Sequence, residues 1–151
     1  MKHWWAALFL VLALSPLAPA QAQGGGAAPR VRPPSGGGLG QNYPNPFNPE
    51  TFIPFTVGDA PTCSEPGRLH RVTLRVYNLL AQLVAVPVLQ GASAGGEGGR
   101  PIVNLMLPCG AYTAYWDGKQ VGTSREVASG VYLYRLEVDG KAMVKKMMVT
   151  K

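Results

Sequence analysis

The sequence predicts an all-β chain: a single antiparallel sandwich of immunoglobulin-like form, preceded by a signal peptide and a flexible Gly/Pro linker. Three observations carry this expectation. Apolar and polar residues alternate with period two across residues 71–77 and Gly130–Val138, the pattern of half-buried strands. Glycine and proline punctuate the gaps between such runs, as the turns of a sandwich of about seven strands require. Finally, no stretch of about ten residues shows the 3.6-residue periodicity of a surface helix.

Residues 1–22 read as a secretory signal. Lys2 and His3 form a short basic start, residues 4–14 are an unbroken apolar run, and two small-x-small sites follow, Ala18-Pro19-Ala20 and Ala20-Gln21-Ala22. The apolar run is too short to span a bilayer comfortably, and the order of regions is that of a cleaved leader. Cleavage is expected after Ala22, with Ala20 as the alternative. Residues 23–40 hold Gly24-Gly25-Gly26, Pro33-Pro34 and Gly36-Gly37-Gly38. Such a stretch buries little and is expected to be a flexible linker.

Residues 41–151 are long enough for one domain that buries about two-thirds of its unfolded surface. The domain opens on Gln41-Asn42-Tyr43-Pro44-Asn45-Pro46-Phe47-Asn48-Pro49. Each proline fixes φ, lacks an N–H and pushes its predecessor toward extended geometry, so this run is a stiff lead-in rather than a helix or central strand. Strands are then expected at residues 51–57, 71–77, 83–88, 102–107, 112–116, 130–138 and 143–149. Val72, Leu74 and Val76 should face the core, as should Tyr132, Tyr134, Leu136 and Val138. Asp139-Gly140 supplies a two-residue hairpin turn. Pro54 and Pro87 fall inside two of these runs and predict edge strands or bulges there. Residues 91–99 form a glycine-rich insertion expected to be exposed.

The chain carries 14 Lys+Arg against 8 Asp+Glu, a net charge of +6, with the charges scattered. Lys145 and Lys146 are the one adjacent basic pair of the domain. A nucleic-acid surface needs clustered cations with interleaved aromatics, so no nucleic-acid partner is expected. Cys63 and Cys109 are the two cysteines. In an exported chain an even count favours a disulfide, worth about 4 kcal/mol on chain-entropy reasoning. Two free thiols remain the alternative, and a metal site lacks both a Cys-x-x-Cys and a nearby histidine.

No catalytic, cofactor or metal residues emerge. Gly91-Ala92-Ser93-Ala94-Gly95 has the spacing of a nucleophile elbow, but no helix follows, and the only histidine after the leader, His70, precedes the serine. His70 is expected on the surface at the start of a strand. Asp117-Gly118-Lys119 reads as a turn, since one carboxylate does not make a calcium site. The chain is therefore expected not to be an enzyme, with no cofactor and no small-molecule substrate.

Five blocks now stand in order: Tyr43-Pro44-Asn45-Pro46-Phe47-Asn48-Pro49-Glu50-Thr51, Val72-Thr73-Leu74-Arg75-Val76-Tyr77-Asn78-Leu79-Leu80, Trp116-Asp117-Gly118, Ala128-Ser129-Gly130-Val131-Tyr132-Leu133-Tyr134-Arg135-Leu136, and Lys146-Met147. Together they resemble the type A C-terminal sorting domain of the type IX secretion system, a relative of the immunoglobulin-like domain of flagellar hook-capping proteins. The resemblance spans residues 41–151. It implies a protein of a Gram-negative bacterium, exported through the periplasm to the cell surface or medium, whose domain is recognised by an outer-membrane secretion translocon. Carried over, the recognition elements are Pro44, Asn45 and Pro46, then Gly130, Val131 and Tyr132, then Lys145, Lys146 and Met147. The Cys63–Cys109 pair is a departure that the family does not require, and only the short linker stands where a cargo domain normally does. The alternative reading is a stand-alone extracellular module that binds another cell-surface protein or serves a structural role.

Overall fold

The computed structural model describes residues 37–91 and 99–151. The signal segment, most of the expected linker and the centre of the glycine-rich insertion, Ser93 included, lie outside the described residues. The described residues form β1 (Gly38–Leu39), β2 (Thr51–Val57), β3 (Leu69–Tyr77), β4 (Leu83–Ala85), β5 (Val88–Leu89), β6 (Leu105–Pro108), β7 (Gly110–Trp116), β8 (Gly130–Val138) and β9 (Lys141–Val149).

These strands make two antiparallel sheets. One has the order β1-β2-β7-β5; the other runs β4-β3-β8-β9, with β6 also on β3. Since β8 occupies one side of β3, the short β4 and β6 share the other, at opposite ends. Alternation places every second residue inside. Ile53, Phe55 and Val57 of β2 and Tyr112, Ala114 and Trp116 of β7 meet Val72, Leu74, Val76, Tyr132, Tyr134, Leu136 and Val138 of the facing sheet in one core cluster. Met147 and Val149 of β9 close it.

Several expectations need correcting. Among the described residues, nine strands replace seven. The run at 83–88 breaks at Pro87: β4 stays in one sheet and β5 joins the other, and the Pro87 carbonyl accepts from Ile102 N–H at 3.0 Å. Ile102, expected to open a strand, is buried in irregular chain, and its carbonyl accepts from Leu74 N–H at 2.8 Å; β6 begins only at Leu105. Pro54 lies in an internal strand, not at an edge. Its carbonyl accepts from Gly40 N–H, so its nitrogen faces the same side, just beyond the end of two-residue β1, where no donor is required.

The linker boundary also moves. Gly38 and Leu39 pair with Thr56 and Phe55. The glycines there serve close approach rather than flexibility: a Cβ on Gly37 would overlap the Thr56 carbonyl, and Gly37 holds φ at 105°. The Asp139-Gly140 turn and the Cys63–Cys109 disulfide are both present. Cys109 sits where the chain passes from β6 in one sheet to β7 in the other.

Candidate functional site

The lead-in at 41–49 is held in part by side chains that satisfy the Pro44 carbonyl. Asn42, buried, donates from Nδ2 to Pro44 O at 3.1 Å and to Thr51 Oγ1 at 3.0 Å. Its backbone N–H donates to the Tyr134 hydroxyl at 3.1 Å, and that hydroxyl donates to Gly40 O at 2.8 Å. Burial pushes the Tyr134 phenol above its ordinary pKa. Tyr43 exchanges two backbone bonds with Phe52, at 2.9 and 2.8 Å.

Past this anchor the chain turns onto the free edge of β9. Asn45 Oδ1 accepts from Met148 N–H at 2.9 Å. Phe47 N–H donates to Met148 O and Phe47 O accepts from Thr150 N–H, both at 3.0 Å, a short parallel bridge opposite Val149. Gln41 Nε2 donates to Lys146 O at 3.2 Å. An edge strand presents unpaired N–H and C=O groups; here the lead-in occupies those of the last third of β9. The Phe47 ring drops into the core and meets Trp116 edge-on at 5.4 Å, and Trp116 meets Tyr132 at 6.1 Å. Gly118, at φ 73°, passes so close to Pro49 that a Cβ would overlap the Pro49 carbonyl. Asp117 Oδ1 accepts from Lys119 N–H at 3.1 Å, as a turn aspartate does.

The three sets of residues expected to carry recognition are thereby brought to one corner. Gly130, Val131 and Tyr132 open β8 directly opposite Val149, Met148 and Met147, and Asn45 lies on the far side of Met148. Pro44, Asn45, Pro46, Gly130, Lys145 and Lys146 are exposed there, and Val131 is half-buried. Tyr132 and Met147 point into the core, so their side chains build the corner rather than face a partner. Asn42 and Met148 are the contributors that pattern reading missed. Asn42 sits in a segment with no periodicity, and Met148 acts through its backbone, which no side-chain motif announces.

On the outer face of the other sheet, Tyr115 donates to Glu50 Oε2 at 2.7 Å, which pushes the phenol up to about 12. Elsewhere, Asp59, Ser64, His70, Cys109, Asp139 and Lys141 line a cavity of about 270 Å³. His70 is not the surface residue expected: it is buried, on the inward face of β3, with Nδ1 2.7 Å from Asp139 Oδ2. Burial alone would raise Asp139, but bonds from His70 and from Arg71 N–H, with the charges of His70 and Arg68, hold its carboxyl below the usual range. The Ser64 hydroxyl and N–H do the same for Asp59. Ser64 is thus engaged by one carboxylate and His70 by another, an arrangement that stabilises a loop and a turn. Among the described residues no group of three or more His, Cys, Asp or Glu is placed to hold a metal ion. Comparison with protein-family models, with characterised proteins and with solved structures returned no match to this chain.

Proposed function

We propose that this is a non-catalytic exported protein whose sandwich, of immunoglobulin-like form, acts as a sorting domain of the type IX secretion kind. Its partner is an outer-membrane translocon of a Gram-negative bacterium, and its destination is the cell surface or the medium. The observation that supports this reading most is convergence. Pro44-Asn45-Pro46, distant in sequence, meets the β8–β9 hairpin that carries Gly130-Val131 and Lys145-Lys146, and together they form one exposed corner around Met148. The immunoglobulin-like form is favoured by two antiparallel sheets around one core. It is also favoured by two tyrosines, Tyr112 and Tyr132, whose hydroxyls donate to carbonyls four residues upstream, as in a tyrosine corner.

Deleting residues 145–151 is a poor test, because it also removes Met147 and Val149 from the core. The informative experiment places a reporter ahead of the domain in a bacterium that has this secretion system and measures reporter at the surface. The unmodified domain should carry it out, and Lys145→Glu/Lys146→Glu, a change at exposed positions, should leave it in the periplasm with the domain still folded. A reporter that stays in the periplasm behind the unmodified domain overturns the proposal.

A further inference from the structure

From the turn between β3 and β4 and the sheet face behind it, we infer that the protein docks on anionic lipid bilayers. The inference does not rest on the sorting role, although the two surfaces share Lys146.

Asn78 builds the turn. Its Oδ1 accepts from Leu80 N–H and Gln82 N–H, both at 3.0 Å, and its Nδ2 donates to Gln82 Oε1 at 2.8 Å. Its backbone N–H donates to Gln82 O at 3.1 Å, and its carbonyl accepts from Ala81 N–H at 3.0 Å. Ala81 takes up the reversal at φ 60°. A side chain that substitutes for backbone partners in this way fixes a turn's shape. At its tip are two leucines, Leu79 and Leu80, 68% and 78% exposed. Turn tips are ordinarily polar, and an ordered tip that holds paired leucines in water marks an interaction site rather than an unstructured loop.

The outward face of the adjoining sheet continues the surface. Tyr77 stands between Leu83 of β4 and Leu133 of β8, and Lys146 of β9 follows Leu133. In the next row Arg75 lies directly opposite Arg135, with Val144 beyond. Like charges directly opposite on neighbouring strands are destabilising. Arg135 is offset by Glu137 at 2.9 Å; Arg75 has no ion pair among the described residues. Leu83, Val144 and Met148 are exposed on this face.

Leucines at a protruding tip with cations one or two rows behind reproduce the order of an anionic bilayer met from the side: hydrocarbon beneath, phosphate above. The phosphates supply the counter-charge that Arg75 lacks, Arg135 being already paired with Glu137. Hot spots for a protein partner are enriched in Trp, Tyr and Arg, with Leu under-represented. Tyr77, Arg75 and Arg135 lie on the sheet face, but the most exposed groups, at the tip, are the aliphatic Leu79 and Leu80.

The test is co-sedimentation of the full chain with vesicles containing about one-third phosphatidylglycerol in phosphatidylcholine, against phosphatidylcholine alone, over a salt series. The unmodified protein should bind the anionic vesicles and lose affinity with salt. Leu79→Ser/Leu80→Ser, at exposed positions, should weaken binding about tenfold with the thermal midpoint unchanged. Arg75→Gln/Lys146→Gln should weaken it and flatten the salt dependence. In a Leu79→Trp variant the emission of the added indole should shift to the blue on adding anionic vesicles only. The inference is overturned if the leucine-to-serine variant binds as well as the unmodified chain, which would assign binding to the apolar residues 4–14. It is equally overturned if the emission of the Leu79→Trp variant does not move, or if the leucines prove instead to mediate self-association without vesicles.

Discussion

His70 and Asp139 illustrate how a single residue pair ties distant turns together. Asp139, at φ 49°, begins the β8–β9 hairpin turn, and its carboxylate accepts from Arg71 N–H at 2.9 Å while facing His70. Because its pKa is lowered on folding, the stabilisation is present above the unfolded-state value and is lost as pH falls through the folded one. Asp139→Asn keeps a residue that tolerates the left-handed turn, removes the charge and leaves one acceptor oxygen where the carboxylate has two. The variant should be less stable than the unmodified protein at neutral pH, with the gap narrowing as pH falls from about 4, the unfolded-state value, through the lowered folded-state one. Urea denaturation at several pH values measures this. The gap should be modest, since the carboxylate is 39% exposed and solvent screens it. The pairing was hidden in the sequence for a simple reason. Alternation is clear only from Arg71 onward, so His70 looked like the residue before the strand; once β3 is extended to Leu69, the same alternation turns His70 inward.

At the scale of elements, the long strands were readable and the short ones were not. β3 and β8 offer several repeats of the two-residue period, and their core faces follow from it. β9 was legible as a strand but not as a face, since Val144 and Met148 point outward while Lys145 shares the row of Met147 and Val149. β1 and β5 are two residues each, too short to carry any period. β5 was further masked by Pro87, which reads as a blemish within one strand but marks the crossing between two sheets. The lead-in was legible as a rigid, non-helical segment. Its docking on β9 was not, because it depends on Asn45 Oδ1 and on backbone groups of Phe47 and Met148 rather than on a hydrophobic pattern. Its one apolar anchor is Phe47, 1% exposed against Trp116. Phe47→Ala should cost about 3–5 kcal/mol, the range for emptying a buried aromatic site, as measured by chemical denaturation. Hydrogen exchange at Met148 and Thr150, whose amides bond to the lead-in, should rise more than at Leu74. A uniform rise would mean that the lead-in is not a separable element.

For the whole molecule, the Cys63–Cys109 bond ties the loop after β2 to the β6–β7 junction, one of the points where the chain changes sheets. It spans a sequence separation of 46, and on chain-entropy reasoning its removal costs about 4 kcal/mol. Cys63→Ser/Cys109→Ser should therefore lower the unfolding free energy by that amount, and the unmodified protein measured in reductant should fall to the same value. If the two measurements differ widely, strain or the serines themselves must be contributing. The composition pointed to this bond through the even cysteine count alone. Its position at a sheet crossing was not legible, because the gap between the strands expected at 102–107 and 112–116 carries no sign that the chain passes from one sheet to the other there.

The bridge between Phe47 and Val149 has a bearing on time as well as on stability. Asn42 and Tyr43 close locally on Thr51 and Phe52, but the stretch around Phe47 can close only on β9, about a hundred residues later. At synthesis rates of about 5–20 residues per second, that interval is about 5–20 s. During it, the two most distant parts of the domain cannot latch, whatever local hairpins have already formed. The fold thus carries its own delay, and this corner remains open until β9 has been made.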